Sequence, residues 1–287
     1  MKKSLLCKIL RDAQQTGTAV AAVNVLNHIT ARAVIHAAER ASRPVILQPS
    51  TGTVRRYGVE AFVRMIEELR ADARVPVVLH LDHCTDEALA KACIQAGWDS
   101  VMMDFSSRPF DENVALTRRI VDYAHDHGVA VEGEIGVISG VEDDIVHDDA
   151  RLATIEETVD YLQQSGIDAV APAIGTAHGV YVDRPKLNFN LVKQLNLLDV
   201  LVVVHGGSGL PEKDFKRLIG CGAAKINLST TLKITYLGAA RKALEDEEIT
   251  PLDFDQAVED ACSAQVEAFI RLFANEKVRV YGSKLSS

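Results

Sequence analysis

The chain has 287 residues, of which 47% are hydrophobic and 25% charged, with a formal net charge of -9. That length and composition support a sizeable core, read as a single domain over residues 1–287, and the acidic balance argues against a nucleic-acid partner. No apolar run approaches the roughly 20 residues that cross a bilayer, so no membrane partner is expected either.

The N-terminal stretch MKKSLLCKILRDAQQ carries Lys8, Arg11 and Asp12 among its apolar residues and reads as an amphipathic helix, not a signal peptide. The first strand signal, AVAAVNV, precedes the helical ITARAVIHAAERAS, and PVILQ precedes GVEAFVRMIEELRADA. VPVVLH leads to DEALAKACIQAG, and SVMMD to NVALTRRIVDYAHDHG. VAVEGE, IEETVDYLQQSG, DAVAPA, LVVVH, EKDFKRLIGCG and AKINL continue the alternation, and the chain beyond about Thr231 reads as helical with no ninth strand signal. Several helical segments end in glycine, the expected stop. Strands alternating with helices and no linker predict a parallel sheet with crossover helices. Eight strand signals fit a closed α/β fold, the (β/α)8 TIM barrel, with additional C-terminal helices.

Active sites of such barrels lie at the C-terminal ends of the strands. Polar residues of catalytic type stand at each of these ends: Asn24; Gln48 and Ser50; Asp82 and His83; Asp104; Glu132 and Glu134; His178; His205; Asn227 and Ser229. In HLDHC (80–84) two imidazoles flank a carboxylate where a buried strand meets a loop. Burying an ionised Asp is costly unless it is paired, so this cluster is either a satisfied strand cap or a metal ligand beside a proton-transfer group. Of the nine histidines, His28, His36, His125, His127 and His147 fall in helical or charged stretches and read as surface or capping groups, and His80 as structural support. His83, His178 and His205 sit at strand ends of one mouth, and three converging imidazoles suit Zn2+ or a similar ion with one position open. The five cysteines lack CxxC spacing and read as reduced thiols of a cytoplasmic protein. HGGSGL (205–210) and NLSTT (227–231) follow the last two strands, where barrels often bind phosphate through glycine backbone N–H groups and hydroxyls. No GxGxxG occurs, so a dinucleotide site has no support.

Taken together, HLDHC, DFSSRPFDEN, VEGEIGVISGVED, GTAHGVY, VHGGSGL and KINLST resemble the class II, metal-dependent ketose-bisphosphate aldolases, nearest the tagatose-/fructose-bisphosphate branch, over nearly the whole chain. The resemblance implies a lyase, an aldehyde-lyase that cleaves a ketose phosphate into dihydroxyacetone phosphate and an aldehyde through a Zn-stabilised enediolate. It implies a homodimer or homotetramer acting on sugar phosphates in carbohydrate metabolism. Carried over residue by residue, His83, His178 and His205 would hold catalytic Zn2+, and Asp82 would exchange a proton with the aldehyde oxygen. Glu142 would supply the base for the ketose-forming carbon, and Glu134 and Asp104 would lie near an alternative metal position. Gly179, Gly206, Gly207 and Ser208, with Asn227, Leu228, Ser229 and Thr230, would cradle dihydroxyacetone phosphate, and Asn24 and Ser50 would contact substrate. A monovalent cation, Na+ or K+, often accompanies that phosphate in the family.

Two departures qualify the likeness. An arginine that helps bind the distal phosphate in the family falls at Val258, in the acidic stretch ITPLDFDQAVEDACSAQ. The aldehyde partner is therefore expected to be unphosphorylated, or held by Arg55, Arg56 or Arg108. Ser229 stands where fructose-type members carry Asp and tagatose-type members a small residue. Three rival readings remain: a class I aldolase with Lys225 as Schiff-base lysine, a zinc hydrolase on the same barrel, and a non-catalytic sugar-phosphate binder.

Overall fold

The computed structural model describes residues 4–142, 145–147, 150–179, 181 and 183–276. Its strands are β1 (Val20–Val23), β2 (Val45–Leu47), β3 (Val77–Cys84), β4 (Ser100–Met103), β5 (Ala130–Ile135), β6 (Ser139–Glu142), β7 (Ile145–His147), β8 (Ala169–Pro172), β9 (Ala177–His178), β10 (Val202–Val204) and β11 (Ala223–Leu228). Eight of them close into a parallel barrel in the order β1-β11-β10-β8-β5-β4-β3-β2, and β7, β6 and β9 form a separate small sheet. Each barrel strand coincides with one of the eight apolar runs. They are legible because a parallel sheet is buried on both faces and its strands read as near-continuous Val/Ile/Leu/Ala.

The helices are α1 (Leu5–Thr16), α2 (His28–Ala41), α3 (Thr51–Tyr57), α4 (Val59–Ala71), α5 (Glu87–Gln95), α6 (Phe110–Asp126), α7 (Ile155–Ser165), α8 (Phe189–Leu197), α9 (Glu212–Gly220), α10 (Thr230–Ala243) and α11 (Pro251–Phe273). Local chemistry marks their ends. Asn27 and Thr30 make a reciprocal capping box at the start of α2, and Gly17 takes the left-handed conformation that ends α1. Outward-facing strand residues and the helices share one apolar cluster. A second cluster fills the bottom of the barrel, where Leu6, Ile9, Leu10 and Ala13 of α1 pack against inward residues such as Val20, Ile46 and Val78. At ~1.5–3 kcal/mol for each fully buried aliphatic side chain, this plug seals one end and leaves the strand C-termini as the accessible mouth. The C-terminal α11 packs against α2 and α10 against α11, and they add no strand among the described residues. No described helix is long and apolar enough to cross a membrane.

Candidate active site

Strict alternation along β3 would send Asp82 and His83 to opposite faces. The strand continues to Cys84 but pairs Leu81 with Val101 and Cys84 with Met103, three residues against two on β4. His83 occupies the left-handed region at φ 44°. A bulge of this kind re-aims side chains, and a non-glycine residue in that region costs on the order of 1–3 kcal/mol that the surrounding packing must offset. Both groups are buried and both reach the site.

His83, His178 and His205 each offer a ring nitrogen, and these atoms lie within 4.8 Å of one another, all buried. His83 stands near the end of β3 and His205 follows β10 in the barrel, whereas His178 lies on β9 of the small sheet, so barrel closure and that sheet together assemble the group. His83 also belongs to a second cluster with Asp104 and Glu134. Its Nδ1 lies 2.7 Å from Asp104 Oδ2 and 3.9 Å from Glu134 Oε2. Burial disfavours a charged His83 ring, but Asp82, hydrogen-bonded Asp104 and Glu134 outweigh it and raise its pKa well above the usual histidine value. Burial likewise opposes ionisation of Asp104, yet the His83 hydrogen bond and charge, with Ser106, hold its carboxyl below the ordinary range. Glu134 goes the other way: burial, reinforced by Asp104, raises its pKa well above normal. Its Oε2 is a buried oxygen with no hydrogen-bond partner. Imidazoles, two carboxylates and such an unsatisfied buried oxygen make a donor set that fits a divalent ion of Zn2+ type.

Asp82 is held beside this group. Asn24 donates to its Oδ2 at 2.7 Å, and Gln48 donates to Asn24 Oδ1 at 2.8 Å. Ser50 caps α3, and its backbone bridges to Asp82 across β2 and β3. Glu142 ends β6, and β6 runs parallel to β9 with Gly140 opposite His178. The Glu142 backbone thus lies two residues from that pairing, and its side chain falls outside the described residues, as does that of His147.

A small cavity adjoins the imidazoles, lined by His178, Gly179, Gly206, Gly207, Ser208, Asn227, Ser229 and Thr230. Gly207 permits the close approach, since a Cβ there would sit 2.5 Å from the Asn227 carbonyl. Ser208 Oγ accepts from the Ser229 and Thr231 backbone N–H groups at 3.2 Å, tying the two loops together. Ser229 Oγ and Asn227 Oδ1 are buried without hydrogen-bond partners. Leu228 corrects the expectation for its run. Alternation turns its side chain into the outer core, and its carbonyl accepts from Asn24 N–H at 3.0 Å, so it does not line the cavity.

Beneath the site lies a network the sequence did not reveal. His205 Nε2 is 2.8 Å from Glu132 Oε1, and Lys225 Nζ donates to Glu132 Oε2 at 2.8 Å. All three side chains are 0% exposed. Glu132 and Glu134 share the inward parity of β5, which was the available signal. Lys225 was masked by a register shift, since Val202 pairs with Ala223 but Val203 with Lys225, leaving Ala224 as an extra residue. A lysine ion-paired in this layer does not suit the Schiff-base role, which needs a neutral amine facing substrate. His80 supports the same layer, its Nδ1 2.8 Å from Ser100 Oγ. Burial first, then Lys225, pushes its pKa well below the usual histidine value. The peripheral histidines are elsewhere: His28 is exposed, His36 pairs with Glu259, His125 with Asp168, and His127 contacts the Tyr123 carbonyl.

Of the arginines considered for a distal anion, Arg55 pairs with Asp86 at 3.1 Å and Arg108 lies 4.0 Å from Glu112. Arg56 is exposed. Val258 is fully buried on α11 in the outer core.

The sequence profile of the family described as Fructose-bisphosphate aldolase class-II matches residues 5–277. The chain is 40% identical over 245 residues to a fructose-bisphosphate aldolase of Staphylococcus aureus, covering 84% of this chain and 86% of that protein. It is 37% identical over 279 residues to the sulfofructosephosphate aldolase of Alkalicoccus urumqiensis, covering 96% and 95%. The crystal structure of the YdjI aldolase from Escherichia coli K12 superposes with a TM-score of 0.84 at 32% identity, covering 94% of this chain and 97% of that one. A buried imidazole cluster at the mouth of a closed eight-stranded barrel, joined to these matches along nearly its full length, makes the chain a member of the class II fructose-bisphosphate aldolase family, an aldolase and hence a lyase.

Proposed function

We propose that this chain is a zinc-dependent aldolase that reversibly cleaves a ketose 1-phosphate or 1,6-bisphosphate, of fructose or tagatose type, into dihydroxyacetone phosphate and an aldehyde. The observation that carries this reading is one barrel mouth holding three buried imidazoles beside a glycine-lined cavity. His83, His178 and His205 would hold Zn2+, with Asp104 and Glu134 as an alternative seat around His83. When bound, the ion supplies a Lewis acid that lowers the cost of negative charge on the substrate carbonyl.

The chain's own residues do the rest. Gly179, Gly206 and Ser208 bring backbone N–H groups, and Ser229 and Thr230 hydroxyls, to the phosphate, with Asn227 and a monovalent cation, Na+ or K+, alongside, while Gly207, whose own N–H donates to the Asn227 carbonyl at 3.1 Å, contributes the close approach. Asp82, aimed by Asn24, gives and takes the proton on the oxygen that becomes the aldehyde, next to Ser50. Glu142 handles the proton on the adjacent carbon. Two carboxylates in different surroundings can divide proton transfer to oxygen from transfer to carbon. The same reading takes residues 1–287 as one cytoplasmic domain that assembles as a homodimer or homotetramer.

A finer reading concerns the far end of the substrate. Val258 is buried where the family's distal-phosphate arginine would align, and one relative acts on a sulfofructose phosphate by its name. The aldehyde half is accordingly unphosphorylated, or carries another group. The test is a cleavage panel of fructose and tagatose 1,6-bisphosphates, their 1-phosphates and sulfofructose phosphate, with EDTA and with Zn2+ restored. Cleavage of at least one member, abolished by EDTA and recovered with Zn2+, is expected, with the 1-phosphates turned over comparably to the bisphosphates. No cleavage of any member would contradict the assignment, and a strong bisphosphate preference would contradict the finer reading.

A further inference from the structure

We propose that Glu132, anchored by Lys225, is a positioning residue that sets which nitrogen of His205 is presented to the metal. This inference rests on the metal reading of the three imidazoles and names a device beneath it. His205 has two faces in the structure. Its Nδ1 points into the imidazole cluster, 2.8 Å from His83 Nε2. Its Nε2 points down into the barrel, 2.8 Å from Glu132 Oε1. A carboxylate ion-paired to a lysine only accepts hydrogen bonds, so it requires the proton on Nε2 and leaves the Nδ1 lone pair facing the cluster.

Of the other described contacts of His205, neither makes that choice. The Asn227 amide nitrogen lies 3.3 Å from Nδ1 and 3.1 Å from Nε2, nearly equidistant, and does not discriminate between them. With an ion in the cluster, His83 Nε2 and His205 Nδ1 would both turn lone pairs toward it, so the contact between them would not place the His205 proton. Lys225 fixes the remaining degree of freedom: its ammonium takes Oε2 at 2.8 Å, leaving Oε1 for His205 and compensating the buried charge. The bulge at Ala224 is what turns Lys225 inward to reach Glu132. His83 is oriented in the same manner from the next strand, by Asp104 at 2.7 Å. Carboxylates behind metal-ligating histidines generally fix tautomer and ring orientation.

The experiment uses the full chain as wild type, Glu132→Gln, Lys225→Met and the Glu132→Gln/Lys225→Met double variant. Zn2+ affinity is measured by competition with a chromogenic chelator, and the visible d–d spectrum is recorded after Co2+ loading. Glutamine offers an N–H as well as a carbonyl and no longer imposes a tautomer. Glu132→Gln is expected to weaken Zn2+ binding by about 10–100-fold and to change the Co2+ spectrum. The double variant removes both charges and leaves no unpaired ammonium in the barrel, so it decides the matter if Glu132→Gln alone does not fold. A folded double variant with wild-type Zn2+ affinity and Co2+ spectrum overturns the proposal, because a merely structural pair would change only thermal stability. A His178→Ala variant that keeps wild-type Zn2+ affinity overturns instead the metal reading on which it rests.

Discussion

Asp82 is buried, yet its carboxylate faces the imidazole cluster because a single extra residue in β3 breaks the strand's alternation. Asn24 and Gln48 then hold it from below through two hydrogen bonds in series. If it moves a proton and does not bind the ion, Asp82→Asn keeps the shape and the Asn24 contact but removes the acid–base function. The expected result is a fall in kcat of about 10²–10⁴-fold with Zn2+ affinity unchanged in a chelator-competition titration. Loss of metal binding in a folded Asp82→Asn protein would contradict the assigned role. Residue types at strand ends were readable from sequence because apolar runs stop at polar groups, except that His178 lies beyond a glycine-containing loop after β8, on β9. Which way each group points was not. The left-handed His83, the inward Lys225 and the core-facing Leu228 depend on bulges and registers set between strands, not within one.

The barrel strands and the long amphipathic helices were legible as elements because burial on two faces, or on one helical stripe, leaves a periodic trace. The helix α3, of seven residues, was too short to show a period, and α8 was not read although it is as long as α5 and α9. Nor was the small sheet β7-β6-β9, whose strands run only two to four residues and have no period to detect. That sheet matters because it joins the Glu142 segment to the strand carrying His178. Gly140 makes the junction possible: it sits at φ 112° against the His178 backbone, where a Cβ would collide with the carbonyl. Gly140→Ala should therefore displace β6 from β9 while leaving the barrel intact. A displacement of ~1 Å at a catalytic group costs on the order of 10²-fold in rate, so kcat should drop by about that factor with little change in melting temperature. An alanine variant with normal kcat would show that the β6–β9 pairing does not position the base.

At the scale of the whole molecule, the plug formed by α1 closes the bottom of the barrel and the polar layer of Glu132, Lys225 and His80 separates that plug from the mouth. The net charge of -9 gives the chain no long-range attraction for an anionic sugar phosphate. Under the proposed function, capture would come from local features, namely backbone N–H groups and the Ser229 and Thr230 hydroxyls that line the cavity. The fold class could be read from composition and alternation, but this division between a repelling surface and an attracting mouth required the closed barrel. On the proposed function, the mouth activates dihydroxyacetone phosphate with the help of a metal, whatever the aldehyde. The most direct measurement is NMR of dihydroxyacetone phosphate in D2O with enzyme alone, with enzyme stripped by EDTA, and with Zn2+ returned. Exchange of a carbon-bound hydrogen next to the carbonyl is expected without any aldehyde present, lost on stripping and restored by Zn2+, as that activation requires. Exchange that persists after stripping and is blocked by borohydride trapping on a lysine would contradict it.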